Sequence, residues 1–254
     1  MKVAQVALPA HAKVNLDLKV IGRRSDGLHD IRTHMQSVAL HDLLEAAPSL
    51  RTSFVADGLP VPGSADNIVV KALAAIERAV GRELPTDFHL HKRIPPGAGL
   101  GGASSDAATA LRAVKMIHGV DVKLDEIARA LGADVPFFLV GGRALAEGIG
   151  EHLKPLPTEP AWYAIAWPGI ELSTASVYGA WDETKGAPPN ELLRAAEQVD
   201  GRVKQFAKRL GREWQMTGSG SAFFRRVGVR EEGLQAIESL DCWTTVTPSV
   251  GAWA

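Results

Sequence analysis

Hydrophobic and polar positions alternate strictly from residue 13 to residue 20. Val14, Leu16, Leu18 and Val20 fall on one side and Lys13, Asn15, Asp17 and Lys19 on the other. A period of two predicts a strand over 13–21 with one face buried. Strands are also expected over 3–8, over 34–40, and across 42–54 with a turn at Pro48-Ser49. The period becomes helical at Val69, Leu73, Ile76 and Val80. Asp66-Asn67 precede this stretch as a cap and Gly81 follows it as a stop, predicting a helix over 68–80. Phe88 and Leu90 alternate with His89 and His91 up to Pro95-Pro96, which makes another strand. Helices are expected over 107–118 and from Asp121 or Lys123 to Gly132. A hairpin over 140–148 turning at Gly141-Gly142 and an apolar strand over 161–167 follow. A helix carrying Val177, Tyr178 and Trp181 comes next, then helical stretches from Asn190 and over 203–210, a helix over 232–240 and a strand over 243–246. Pro155, Pro157 and Pro160 read as a stiff, extended linker. That linker divides the chain into domains of residues 1–154 and 155–254.

Composition narrows the class. The chain has 254 residues, 46% hydrophobic and 22% charged, an ordinary globular balance for one large domain or two smaller ones. A net charge of −1 leaves no basic excess for a phosphate backbone, so nucleic acid is not expected as a partner. Cys242 is the single cysteine. It cannot form an internal disulfide, and it reads as a small hydrophobe in a reducing compartment. Pro9 and His11 interrupt any signal-like apolar run, and no apolar stretch nears the ~20 residues needed to span a bilayer. The expectation is a cytoplasmic protein without a membrane partner. There is no internal repeat or low-complexity segment.

The chemistry concentrates in Pro95-Pro96-Gly97-Ala98-Gly99-Leu100-Gly101-Gly102-Ala103-Ser104-Ser105. Four glycines lie within six residues, ahead of the helix-forming run that begins at Ala107. Glycine admits positive φ and leaves backbone N–H groups open to a ligand. A helix N-terminus adds unpaired donors and a positive dipole end, and both favour an anion. A Gly-rich hinge is one alternative. A dinucleotide fingerprint is another, since Gly97, Gly99 and Gly102 satisfy G-x-G-x-x-G. However, Pro95-Pro96 separate the strand from the glycines, and Asp121 precedes a helix instead of ending a strand. The loop is not a Walker A, because Ala103 and not Lys follows Gly102. A phosphate cradle of another type is the direct reading.

With Asp106-Ala107-Ala108 added, this stretch resembles the central ATP-binding motif of the GHMP kinases. Its Ser-Ser-Asp-Ala-Ala form is similar to the branch that phosphorylates a cytidine diphosphate-linked methylerythritol. Further stretches carry the resemblance. Ala12-Lys13-Val14-Asn15-Leu16 is similar to the first motif. Gly22-Arg23-Arg24-Ser25-Asp26-Gly27-Leu28-His29 resembles a block peculiar to that branch, with Leu28 where the family has Tyr. Gly132-Ala133-Asp134-Val135-Pro136-Phe137-Phe138 is similar to the segment holding the family's base. On the residues alone, Asp134 is equally a cap or turn aspartate. Met216-Thr217-Gly218-Ser219-Gly220-Ser221-Ala222 resembles the third motif. The resemblance covers nearly the whole chain, thinning between Thr184 and Gln215 and over the last thirty residues.

The resemblance implies an α+β, two-domain GHMP-kinase fold, ribosomal-protein-S5-like at the N-terminus and ferredoxin-like at the C-terminus. It implies Lys13 and Asp134 as catalytic residues and the loop from Pro95 to Ser105 as the ATP site. Asn15, His29, Tyr178, Gly218 and Ser219 are implied at the substrate, with Tyr178 stacking on a cytosine. A core aromatic is the other reading of Tyr178. ATP with Mg²⁺ is the implied cofactor. Ser105 is a candidate ligand, and no dedicated protein metal site is visible. The partners are then the cytidyl substrate and ATP, for a monomer or weak homodimer. A homoserine- or mevalonate-type kinase and an inactive nucleotide-binding homologue are the alternatives. The block from Gly22 to His29 argues against the first, and retention of Lys13 and Asp134 against the second.

Overall fold

The computed structural model describes residues 4–253, so Val3, where the first strand is expected to begin, lies outside it. The chain starts with β1 (Val6–Asn15), β2 (Lys19–Arg23), β3 (His29–Pro48), β4 (Ser53–Gly58), α1 (Ile68–Val80) and β5 (Thr86–Lys92). After the glycine loop come α2 (Gly102–His118), α3 (Leu124–Leu131), α4 (Val135–Val140), β6 (Arg143–Gly148), β7 (His152–Leu156) and β8 (Trp162–Trp167). The remainder is α5 (Thr174–Thr184), α6 (Leu193–Val199), α7 (Gly201–Leu210), β9 (Gln215–Met216), β10 (Phe223–Val227), α8 (Arg230–Ile237) and β11 (Trp243–Pro248).

Two compact units result, and neither is one continuous segment. The first runs through Ala12 and then comprises His41–Pro96 and Gly101–Val140. The second comprises Lys13–Leu40, Gly97–Leu100 and the chain from Gly141 onward.

In the first unit, β5 lies between β3 and β4, antiparallel to the one and parallel to the other. Phe88 and Leu90 are buried on one face of β5, while His89 and His91 stand half-exposed on the opposite face. Val69, Leu73 and Ile76 give α1 its buried stripe. Asn67 accepts a hydrogen bond from the Val69 N–H at 2.9 Å, and Gly81 closes the helix at φ 70°, both where the pattern predicts them. Helix α2 is enclosed by α1, α3 and α4. Its run of Ala107, Ala108, Ala110 and Ala113 leaves room for close approach, and Leu111, Val114 and Ile117 fill the rest.

In the second unit, the first part of β3 pairs with β2 and β6, and β7 lies beyond β6. A separate antiparallel sheet has the order β11-β8-β10-β9. Leu18, Ile31, Ala166 and Phe223 share a core with Val177 and Trp181 of α5, Ala195 of α6 and Phe206 of α7. Cys242 packs half-buried against this core, and burial pushes its thiol up from the ordinary value.

Several elements differ from expectation for identifiable reasons. The strand β1 runs unbroken through Pro9 and pairs with β3. The region over 34–48 belongs to one twenty-residue strand, His29–Pro48. The apolar run from Val135 to Val140 is a short helix, so Gly141-Gly142 joins it to β6 and the hairpin turns instead at Gly148 to Glu151. Gly141 is required on other grounds, because a Cβ there would lie 2.2 Å from the Trp253 ring. The expected linker begins inside β7, where Pro155 sits opposite Ala144 on the sheet's edge strand.

Replacing Asn67 by Ala removes the α1 cap and the amide's bond to the Pro62 carbonyl. Chemical denaturation should show a loss of about 1–2 kcal/mol with unchanged far-UV circular dichroism.

Candidate active site

The polar face predicted for residues 13–20 is not solvated at its start. Lys13 and Asn15 are each only 3% exposed. The Lys13 ammonium donates to the Asn15 side-chain oxygen at 2.5 Å, and the Asn15 amide donates to the Thr33 hydroxyl at 2.8 Å. The Asn15 N–H donates to the Thr217 hydroxyl at 2.9 Å, which ties β1 to the glycine-rich turn at Thr217–Gly220. The Lys13 N–H donates to the carbonyl of Leu100 at 3.0 Å, so the glycine loop meets the same strand.

Glycine is essential where these segments meet. A Cβ at Gly99 would lie 2.3 Å from the Thr217 carbonyl oxygen. One at Gly218 would lie 3.0 Å from the Gly99 carbonyl oxygen and 3.2 Å from both Asn15 Oδ1 and Lys13 Nζ. Gly99 and Gly218 also take positive φ, at 76° and 55°. Asn190 fixes the turn from behind. Its amide donates to the carbonyls of Met216 and Gly218 at 2.8 and 2.9 Å. Ser219 shares a 3.0 Å hydrogen bond with Thr174 at the start of α5. Lys13, Asn15, Gly99, Gly218 and Ser219 thus form one cluster within the second unit.

The loop continues into α2. Gly97 and Gly101 have φ 59° and 74°, and Gly101 is the N-cap with no side chain capping the helix. An uncapped first turn is a condition that favours anion binding. The loop's remaining residues differ in burial. Pro95, Ala98, Leu100 and Ser105 are buried, whereas Gly97 and Ala103 are exposed. Asp134 is half-buried in the turn between α3 and α4, in the first unit.

A second cluster in the second unit surrounds His29, which is 7% exposed at the start of β3. Its Nε2 is 2.9 Å from a carboxylate oxygen of Asp182 on α5, and Arg23 reaches the other oxygen at 3.2 Å. The hydrogen bond from His29, helped by the Arg23 charge, holds the Asp182 carboxyl below the usual range. Tyr178 stacks on the His29 ring at 5.2 Å between centroids, and Trp181 meets it edge-on at 5.7 Å. Leu28 is half-exposed in the preceding turn, where its N–H bonds to Asp26.

Comparison with known proteins gives this arrangement a lineage. Residues 67–142 match the family described as GHMP kinases N terminal domain. A 4-diphosphocytidyl-2-C-methyl-D-erythritol kinase from Halorhodospira halophila is 38% identical over 97% of this chain and 90% of its own length. One from Chromohalobacter salexigens is 40% identical over 75% of this chain, a match spanning 65% of that protein. A crystal structure of 4-(cytidine 5'-diphospho)-2C-methyl-D-erythritol kinase superposes with a TM-score of 0.84 at 35% identity, covering 97% of this chain and all of the other. The chain belongs to the 4-diphosphocytidyl-2-C-methyl-D-erythritol kinase family. Its α+β fold, with two sheets, is the GHMP-kinase fold.

This family member has a feature beneath its glycine loop that pattern alone does not reveal. Lys92, at the end of β5, is 5% exposed and bridges Asp42 at 2.5 Å and Asp106 at 2.7 Å. The other Asp42 oxygen accepts from the N–H groups of Arg93 and Ile94, where the chain leaves β5 for the loop. Asp106 lies in the first turns of α2. Gly102 must be glycine here, since a Cβ would lie 2.9 Å from Ile94 and 3.0 Å from Lys92 Nζ. Burial disfavours charge on Asp106 and the Asp42 carboxylate adds repulsion. Together they outweigh the Lys92 ammonium and push Asp106 up to about 8. Burial works against the Lys92 charge too, but the two carboxylates raise it above the ordinary lysine value.

A carboxyl raised on folding contributes stability below its unfolded pKa and loses it as pH rises through the folded value. For Asp106 that window runs from the ordinary 3.8 to about 8. Urea denaturation of the native protein should therefore show falling stability from pH 5.5 to pH 8.5. Asp106→Asn, which mimics the protonated acid, should flatten that fall. An equal slope in both proteins would remove Asp106 as its source.

Proposed function

We propose that this protein transfers the γ-phosphoryl group of ATP to the 2-hydroxyl of 4-diphosphocytidyl-2-C-methyl-D-erythritol. The step belongs to the non-mevalonate route to isoprenoid precursors. The observation that carries the reading is the buried Lys13–Asn15 pair held against Gly99 and Gly218, in a chain whose relatives bear this kinase name.

Phosphoryl transfer has a loose transition state with charge spread over the phosphoryl oxygens, so alignment and charge stabilisation govern the rate. Lys13 supplies a positive group whose orientation Asn15 fixes, and it neutralises charge on the transferring group. Asp134 accepts the proton of the substrate hydroxyl. The hydroxyl oxygen bonds to the γ-phosphorus while the bond to the β–γ bridging oxygen breaks, releasing ADP. The uncapped first turn of α2 and the positive-φ glycines suit the ATP phosphates. Ser105 would be the candidate protein oxygen donor to a Mg²⁺ ion, which would offset the charge of those phosphates. Among the described residues, no group of three metal-ligating side chains lies at the loop.

His29 is suited to read a pyrimidine. Asp182 fixes Nε2 as the ring's N–H, which leaves Nδ1 an acceptor for the exocyclic amine of cytosine. Tyr178, already stacked on His29, offers its ring to the base. In Leu28 the chain offers an aliphatic side chain where the family has an aromatic one.

Turnover is tested with ATP and Mg²⁺ against 4-diphosphocytidyl-methylerythritol, mevalonate and homoserine. The expected result is turnover of the cytidyl substrate alone. Turnover of another alcohol instead would overturn the substrate assignment, and no turnover on any would overturn the activity. Lys13→Ala and Asp134→Ala should each lower kcat by about 10²-fold or more in folded protein. Near-normal turnover in Asp134→Ala would remove it as the base. Tyr178→Ala should raise KM for the cytidyl substrate by about tenfold with a smaller effect on kcat, the scale of one lost base stack. A change in thermal stability alone would return Tyr178 to a packing role.

A further inference from the structure

We propose that Glu45, His89 and His91 form a binding site for a divalent transition-metal ion of the zinc type, on the half-exposed face of β5 and its neighbours. None of the three has a part in the chemistry above.

Strand geometry creates the site. His89 and His91 are two residues apart on β5, so both rings project from one face and lie 4.0 Å apart. Glu45 on β3 is the register partner of His89, and Asp57 on β4 is the register partner of His91. The central strand thus brings two imidazoles and each flanking strand a carboxylate. One ligand atom from each of Glu45, His89 and His91 falls within 4.8 Å of the others.

Two details favour a metal over a set of surface ion pairs. First, the two nitrogens of His91 have divided roles. Nδ1 faces the Asp57 carboxylate at 2.9 Å, while Nε2 points at Glu45 Oε1, 3.3 Å away. A carboxylate on one ring nitrogen, with the other directed at a second ligand group, is the arrangement that orients and strengthens a metal-binding histidine. Second, two atoms each about 2.0–2.1 Å from a tetrahedral zinc ion stand about 3.3 Å apart, the spacing found between His91 and Glu45. Two imidazoles and a carboxylate suit zinc, nickel or copper, whereas Mg²⁺ and Ca²⁺ prefer oxygen alone. Three protein ligands leave the fourth position to water. The ion would cross-link β3 to β5.

The test is calorimetric titration of the intact, chelator-treated protein with Zn²⁺, paired with thermal melting. The expected result is one tight site per chain with a Kd of micromolar or lower, and a melting temperature that rises with Zn²⁺ and falls back with EDTA. His91→Ala should weaken that site at least 100-fold. Asp57→Asn should weaken it by about 10- to 100-fold, the range for a group behind a ligand. Glu45→Gln, close in shape to the native residue, decides the matter if His91→Ala melts early without metal. His152→Ala, at an exposed histidine that is not a member of the cluster, is the control and should bind as the native chain does. Binding no tighter than millimolar, or a tight site unchanged in both His91→Ala and Glu45→Gln, would overturn the assignment.

Discussion

A buried ammonium holds the glycine loop's base in place. Lys92 has almost no access to water, so the cost of removing its charge from solvent must be met by partners at hydrogen-bond distance. Asp42 and Asp106 meet it, and in doing so join three separate elements, β3, β5 and α2. Asp42 also accepts from the two N–H groups at which the chain turns out of the sheet. The start of the loop and the start of the helix are thereby registered on one cation. Such an arrangement contributes little net stability relative to apolar packing, but removing Lys92 or Asp42 leaves an uncompensated buried charge. Its value lies in specifying a single position for α2 relative to β5.

In the second unit the governing constraint is steric. Backbone atoms of Gly99 and of the Thr217–Gly220 turn approach closer than any side chain permits, and Lys13 and Asn15 occupy the margin. The hydroxyl of Thr217 and the amide of Asn190 bind the backbone on either side of that approach.

Much of this was legible from residue order, for physical reasons. Asn67 and Gly81 bracket α1 because capping and left-handed termination are local effects. The glycine loop announced itself through the density of residues that tolerate positive φ. Long-range partnerships were not legible. Nothing local to Asp42 distinguishes it from a surface aspartate fifty residues before Lys92, and Asp182 acquires meaning only beside His29. Sites of change in period were also misleading. Pro9 reads as a break until β1 is seen pairing with β3, and Gly141-Gly142 reads as a hairpin turn until Trp253 lies against it. The alternation over 13–20 read as one strand what the structure divides between the end of β1 at Asn15 and the start of β2 at Lys19, and it misassigned the outer face, since hydrogen bonding at Lys13 and Asn15 lets polar side chains sit where water does not reach.

The path of the chain between its units limits how the protein can be divided. It passes from one to the other after residues 12, 40, 96, 100 and 140, and the briefest visit is the four residues of Gly97–Leu100. No single cut separates the two units, because a cut after Val140 keeps the first whole but carries Lys13–Leu40 and Gly97–Leu100 of the second with it. A fragment ending at Val140 keeps two pieces of the second unit without the rest of it, so a domain-deletion series would not report the separate duties of two modules. Contacts that close each unit span long stretches of sequence, which slows the search for them and favours folding as one cooperative event. An evolutionary exchange of the second unit could not proceed by one recombination event, because segments of the first interrupt it twice.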